Sequence, residues 1–198
     1  DAPAGEFSGT RAYASLADLL GDQQPHPVGS AANDGVRARL VAQLRSMGLA
    51  PELQRGFSCN ERGSCAPVVN VIVQLPGQVD GPAVALAAHY DSVGAGPGAA
   101  DDGSGTALVL ESVRALQATG PHRNPLVAVW TDAEEPGLLG ARALVEHPLF
   151  ADGKVAVVIN VEARGTTGAS RMFETSDGNA GLIAAYADGV TRRDWDGL

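Results

Sequence analysis

Residues 87–105 read AAHYDSVGAGPGAADDGSG, which places His89, Asp91, Asp101 and Asp102 around one glycine-rich loop. Two more polar clusters follow apolar runs. Asp132, Glu134 and Glu135 come after 126–131, and Asn160 and Glu162 close the run that begins at Val155. One acidic pair at the end of a strand is ordinarily just solvated. Three such ends, together with the Asp101-Asp102 pair, are poorly explained by coincidence. In open α/β sheets ligands bind beyond the carboxyl ends of the strands, so residues far apart in sequence can converge there. Carboxylates brought together in that way cannot all stay ionised without a compensating cation. Imidazole with carboxylate suits zinc, and the chemistry that such a set performs is metal-assisted hydrolysis. The glycines 94, 96, 98, 103 and 105 let backbone pass close to such a site, although a plain flexible loop would carry them equally well.

Convergence requires a sheet whose strands end on one side. Residues 68–75, 83–88, 126–131 and 155–161 read as strands, with a shorter one over 53–57. The run Val155-Ala156-Val157-Val158-Ile159 is apolar on both faces, as expected of a strand covered by helices on each side. Pro76-Gly77 and Asp80-Gly81 join strands 68–75 and 83–88 so closely that a hairpin is expected between them. Helices are expected over 10–20, stopped by Gly21, and over 33–47, burying Val36, Leu40, Leu44 and Met47 and capped by Gly48. Further helices are expected over 104–116, 137–146 and 180–187. The class is therefore α/β: three layers, α/β/α, around a mixed, mostly parallel sheet that is antiparallel near its start. No repeat or domain-scale linker is visible, so residues 1–198 read as one domain.

The net charge of −9 excludes a nucleic-acid partner, because no basic stripe is present to neutralise phosphates. No apolar run approaches the roughly 20 residues that cross a bilayer, so no membrane segment is expected within these residues. Cys59 and Cys65 are the only cysteines. A disulfide closing the polar loop 60–64 is favoured over two free thiols, since nothing nearby has zinc-finger spacing. An oxidising compartment follows, and with it the expectation of a secreted or periplasmic protein. His26, between two prolines, reads as structural, and His122 and His147 as surface residues.

Taken in order, PHPVGS (25–30), AHYDSV (88–93), GPGAADDGSG (96–105), TDAEEPGLLGA (131–141) and NVEARG (160–165) resemble the M28 metallopeptidases across almost the whole chain. The likeness is greatest to the branch that contains vacuolar and endoplasmic-reticulum membrane metallopeptidases. It implies a zinc-exopeptidase-like fold and a peptide substrate, whose amino-terminal residues are released by a water activated between two Zn2+ ions. His89 would bind one ion, with Asp91 orienting its imidazole. Asp101 would bridge both ions, and the Asp101–Asp102 peptide bond would be cis. Glu135 would bind the second ion, Glu162 would complete the set of the first, and Glu134 would be the catalytic base. The bland reading of Glu134-Glu135-Pro136 is a helix start, where acids favour the positive end of the dipole.

The resemblance also implies a histidine as fifth ligand, and no histidine follows His147. The expectation is thus an amino-terminal part of a catalytic domain that binds one zinc well, has little activity alone, and self-associates through an exposed sheet edge. The alternatives are a glutaminyl-cyclase-like enzyme with a single zinc and an inactive binding module on a peptidase scaffold. Arg164, two residues past Glu162, would suggest a carboxypeptidase if it bound a substrate carboxylate, and otherwise reads as part of an ion pair.

Overall fold

Along residues 126–131, Val127 and Val129 point to one side and Ala128 and Trp130 to the other, and all four are buried. Such a strand must lie inside a sheet that is covered on both faces. The computed structural model, which describes residues 2–163 and 174–190, has this arrangement. Among these residues five strands form one sheet: β1 (Glu52–Cys59), β2 (Cys65–Leu75), β3 (Ala83–His89), β4 (Leu126–Thr131) and β5 (Val155–Asn160), in the order β1-β2-β4-β3-β5. β1, β2 and β4 are antiparallel neighbours, whereas β3 runs parallel to both β4 and β5.

One face is covered by α1 (Gly9–Leu20), α2 (Ala31–Ser46) and α3 (Ser104–Ala118). Their Leu19, Leu40, Leu44, Leu110 and Val113 pack with Val71, Val73, Ala88 and Trp130. On the other face Leu144 of α4 (Leu139–Leu144) and Leu149 and Phe150 of α5 (Pro148–Ala151) pack against Ile72, Ala85, Val127 and Val129. The expected α/β/α layering is therefore present. Ser8 and Ser30 cap α1 and α2, each accepting a backbone N–H three residues on, and Gly48 takes the left-handed conformation that ends α2.

Two expectations are corrected. Strands 68–75 and 83–88 do not form a hairpin, because β4 inserts between them. Both are apolar on both faces and need inner positions, and β4 provides a neighbour for each. Their connection packs on the segment that leads into β4: Gln78 and Val79 donate their N–H groups to the carbonyls of His122 and Arg123. A Cβ at Gly77 would stand 2.5 Å from the Pro125 nitrogen. The hairpin is instead β1–β2, with Cys59 opposite Cys65 and the two joined by a disulfide. Secondly, β5 is not covered on both faces among the described residues. Among those residues it is the edge strand beyond β3, and Val158 and Ile159 are 52% and 48% exposed.

Residues 1–163 form one compact unit and residues 164–198 a second, within which α6 (Ala180–Val190) is described. No helix among the described residues is long and apolar enough to cross a membrane.

Candidate active site

β3 and β4 lie parallel with His89 opposite Thr131, so 89–93 and 132–135 leave the sheet side by side. β5 runs parallel on the far side of β3, and the N–H of Val161 donates to the Ala87 carbonyl (2.8 Å), which brings Glu162 to the same end. The topology thus gathers all three acidic strand ends.

His89 is buried, and its two ring nitrogens face different partners. Nδ1 lies 3.1 Å from the carbonyl oxygen of Asp91 and 3.4 Å from its Oδ1. Nε2 faces Asp101 Oδ1 (3.1 Å), Glu162 Oε1 (3.6 Å) and Glu134 Oε2 (3.9 Å). The main chain of His89 is tied as well. Its carbonyl accepts from Thr106 Oγ1 (2.7 Å), and its N–H donates to Asp102 Oδ2 (3.3 Å).

Asp91, also buried, joins the histidine to the glutamate pair. Its Oδ1 accepts the N–H of Glu134 (2.9 Å) and its Oδ2 that of Glu135 (3.3 Å). The loop after β3 is pinned from below by the PHPVGS segment. His26 N–H donates to Ser92 Oγ (2.8 Å), and the His26 carbonyl accepts from the Ser92 N–H (3.3 Å). His26 is thus structural, as expected. His122 contacts the Leu116 carbonyl, and His147 caps α5 and meets Glu52. Arg164 lies outside the described residues.

The Asp101–Asp102 peptide is cis, as the resemblance implies. The two side chains part company there: Asp101 is 60% exposed beside His89 Nε2, whereas Asp102 is buried. Asp102 Oδ1 accepts the Gly105 N–H (3.0 Å), and a Cβ at Gly105 would stand 2.2 Å from that oxygen, so glycine is required. Among the described residues one group of three, His89, Asp102 and Glu162, offers ligand atoms all within 4.8 Å of one another. Residue order assigns Asp102 no role. Adjacency to Asp101 was the only signal, and it does not say which of the pair turns inward.

Asp132, likewise without an assigned role, underpins the glutamate loop. Its Oδ1 accepts from Ala133 N–H (2.9 Å) and Asn33 Nδ2 (3.3 Å), and its Oδ2 from Val69 N–H (3.0 Å). Asn70 accepts the Asp132 N–H (3.0 Å) and donates to the Gly140 carbonyl (2.8 Å).

The electrostatics follow from one imidazole among many acids. Burial opposes charge on His89, but hydrogen bonds to Asp91 and Glu162 and the fields of Asp91 and Asp102 push it up to about 11. Burial pushes Asp102 up to about 8 against the pull of His89, with Glu162 adding repulsion. Glu134 is raised by burial and by Glu162, Asp91 and Glu135, and Glu135 by burial and Asp101. Glu162 is lowered, by the His89 imidazole beside it. A nitrogen and several carboxylate oxygens thus converge where positive charge is in deficit, and this donor set fits a divalent cation such as zinc.

The model of peptidase family M28 matches residues 70–193. A vacuolar membrane protease of Candida albicans is 34% identical over 157 residues, covering 77% of this chain and 18% of that protein. The chain spans about a fifth of the length of the curated relatives that it matches. Among solved structures, a glutaminyl cyclase of Porphyromonas gingivalis has a TM-score of 0.78 at 25% identity, covering 93% of this chain and 71% of the other. A Zn-dependent exopeptidase from Parabacteroides distasonis has a TM-score of 0.67 at 20% identity, covering 83% and 64%, and shares the fold. The expectation of a secreted or periplasmic protein is corrected by these relatives, several of which are vacuolar membrane proteases. The Cys59–Cys65 disulfide on which it rested carries no address, since disulfides persist in more than one oxidising compartment.

Proposed function

Because the chain belongs to peptidase family M28, we propose that the complete protein hydrolyses peptide bonds with zinc, releasing amino-terminal residues through a water activated between two ions. The observation that carries this reading is the convergence of Asp101, Glu134 and Glu162 on Nε2 of His89. In it, His89, Asp101 and Glu162 would hold one ion, and Asp101 and Glu135 would reach the other. Bound zinc supplies Lewis acidity, which lowers the pKa of a water and polarises the scissile carbonyl.

The protein's own groups do the rest. Burial and the neighbouring carboxylates raise Glu134 above its ordinary value, which makes it the stronger base. Glu134 takes a proton from the attacking water, and the hydroxyl adds to the scissile carbonyl carbon. As the C–N bond breaks, Glu134 passes that proton to the departing amine. Asp91 holds the imidazole and the two glutamate N–H groups in one frame, so the ligand and the base keep their spacing.

The likeness to a glutaminyl cyclase favours a second reading, a single-zinc enzyme that cyclises an amino-terminal glutamine. Amino-acid anilides and an amino-terminal glutaminyl peptide, offered to the protein with its complete catalytic domain, separate the two. Hydrolysis of the anilides is expected, with Glu134→Gln retaining zinc and losing turnover by about 10²–10⁴-fold. Cyclisation without anilide hydrolysis would establish the second reading. Turnover of neither substrate by the zinc-loaded protein would point to a binding module.

A further inference from the structure

The loop carrying Glu134 and Glu135 is gripped from a second side, by the tip of the β1–β2 hairpin, which the mechanism above does not use. Cys59 and Cys65 face each other in the β1–β2 register and are joined by the disulfide, closing the loop 60–64. Within it, every polar atom of the Asn60 carboxamide is engaged. Oδ1 accepts the N–H groups of Arg62 and Ser64, each at 3.0 Å, which shapes the tip. Nδ2 points the other way and donates to the carbonyls of Pro136 (3.0 Å) and Gly137 (3.4 Å). The main chain of Asn60 is paired too, its N–H with the Ser64 carbonyl and its carbonyl with the Gly63 N–H.

The two carbonyls that Asn60 holds follow directly on Glu135. On their other side, the N–H groups of Gly137 and Leu138 both donate to the Glu134 carbonyl at 2.8 Å. The fit is close, for a Cβ at Gly137 would stand 2.4 Å from Asn60 Nδ2, and Gly137 has φ +112°. This loop needs external ties. Ala133 and Leu138, on either side of the glutamates, occupy the left-handed region at φ +55° and +61°, which non-glycine residues disfavour. Asp91 ties the N–H groups of the pair, and Asn60 ties the carbonyls just after it.

We propose that Asn60, held in place by the Cys59–Cys65 disulfide, is a positioning residue for Glu134 and Glu135. The proposal rests on the roles given to the two glutamates above. Asparagine suits the position because its amide offers an acceptor to the hairpin and a donor to the loop at one reach. Aspartate would keep the first contact and turn the second into oxygen facing oxygen. The disulfide ties the strand ends on either side of the tip, so Asn60 does not depend on the exposed outer edge of β1 for its placement.

The test uses Asn60→Asp and the paired Cys59→Ser, Cys65→Ser variant in the zinc-loaded protein with its complete catalytic domain, and Arg62→Ala as control. Asn60→Asp is expected to lower kcat about tenfold while KM stays within about twofold and zinc content is unchanged, since misplacing the base costs turnover and not binding. Amide exchange at Gly137 and Leu138 is expected to speed up while the β4 amides 127–130 keep wild-type rates. The cysteine variant should move kcat and exchange in the same direction, and Arg62→Ala should match wild type. Wild-type exchange at Gly137 and Leu138 in Asn60→Asp overturns the proposal, as does wild-type kcat despite faster exchange. So does an equal acceleration across β4, which would mean general destabilisation. If the unaltered protein turns over no peptide substrate, the functional reading fails separately, and the exchange measurement still decides whether Asn60 holds the loop.

Discussion

Replacing Asp91 by asparagine removes one charge and turns one acceptor into a donor, leaving the shape of the side chain unchanged. The shorter of its two backbone contacts is Oδ1 to Glu134 N–H at 2.9 Å, and the longer is Oδ2 to Glu135 N–H at 3.3 Å. The amide will keep its oxygen on Glu134 and turn its nitrogen toward the Glu135 N–H, donor against donor. Losing a charge-assisted hydrogen bond and leaving that N–H without an acceptor costs about 2 kcal/mol, which lowers Tm by roughly 4–8 °C in a protein of this size. The effect on metal affinity is smaller than the loss of a carboxylate beside a ligand histidine would suggest. His89 Nδ1 also has the Asp91 carbonyl at 3.1 Å, nearer than the carboxylate at 3.4 Å, so the ring keeps its orientation. Zinc affinity should therefore fall by about tenfold, the lower end for such partners. Turnover should fall further, because the Glu135 end of the loop is released. Thermal melting, competition for zinc with a chelator and steady-state kinetics measure the three effects. Wild-type Tm together with wild-type zinc affinity would refute the role given to Asp91. A loss of zinc binding far larger than the loss of turnover would show that the carboxylate, and not the carbonyl, orients the ring.

A second prediction concerns Glu111 of α3, whose buried carboxylate accepts from Arg114, Arg11 and the Ser8 N–H. Burial opposes its ionisation, but these hydrogen bonds win and hold its pKa below the ordinary 4.5. A depressed carboxylate stabilises the fold above its unfolded value, and the contribution is lost as pH falls through the folded value. Glu111→Gln should cost about 1–2 kcal/mol at neutral pH, since both guanidiniums are partly exposed, and the Tm gap to wild type should close below about pH 4.5. A gap that persists unchanged into acid would contradict this. A third prediction follows from the ligands proposed for each ion: three for one (His89, Asp101, Glu162) and two for the other (Asp101, Glu135). Calorimetric titration of the 198-residue chain with zinc should find one tight site, and two equally tight sites would refute the assignment.

Much of this protein was legible in residue order. Apolar spacing located β4, α2 and α3 to within a few residues, because burial of one helical stripe or both strand faces leaves a short-range pattern. The separate motifs that carry His89, Glu135 and Glu162 were visible as ionisable side chains after apolar runs, and the parallel strands that bring them together followed from the strand–helix alternation. Strand pairing was less visible. Residues 68–75 and 83–88 lie a short loop apart, yet β4 separates them, because two strands apolar on both faces each need an inner place in the sheet.

What residue types and spacing determined by themselves is the layering and the set of ionisable side chains at the strand ends; the family came from the resemblance of five ordered motifs. The tertiary structure alone decided that Asp102 is buried while Asp101 stays exposed beside His89 Nε2, that Asp91 grips the glutamate pair as well as His89, and that Asn60 reaches Pro136 from the hairpin. Those outcomes depend on which backbone N–H and carbonyl groups meet across 43 or 76 residues of chain. Such meetings are set by the packing of the whole sheet and leave no periodicity along the sequence.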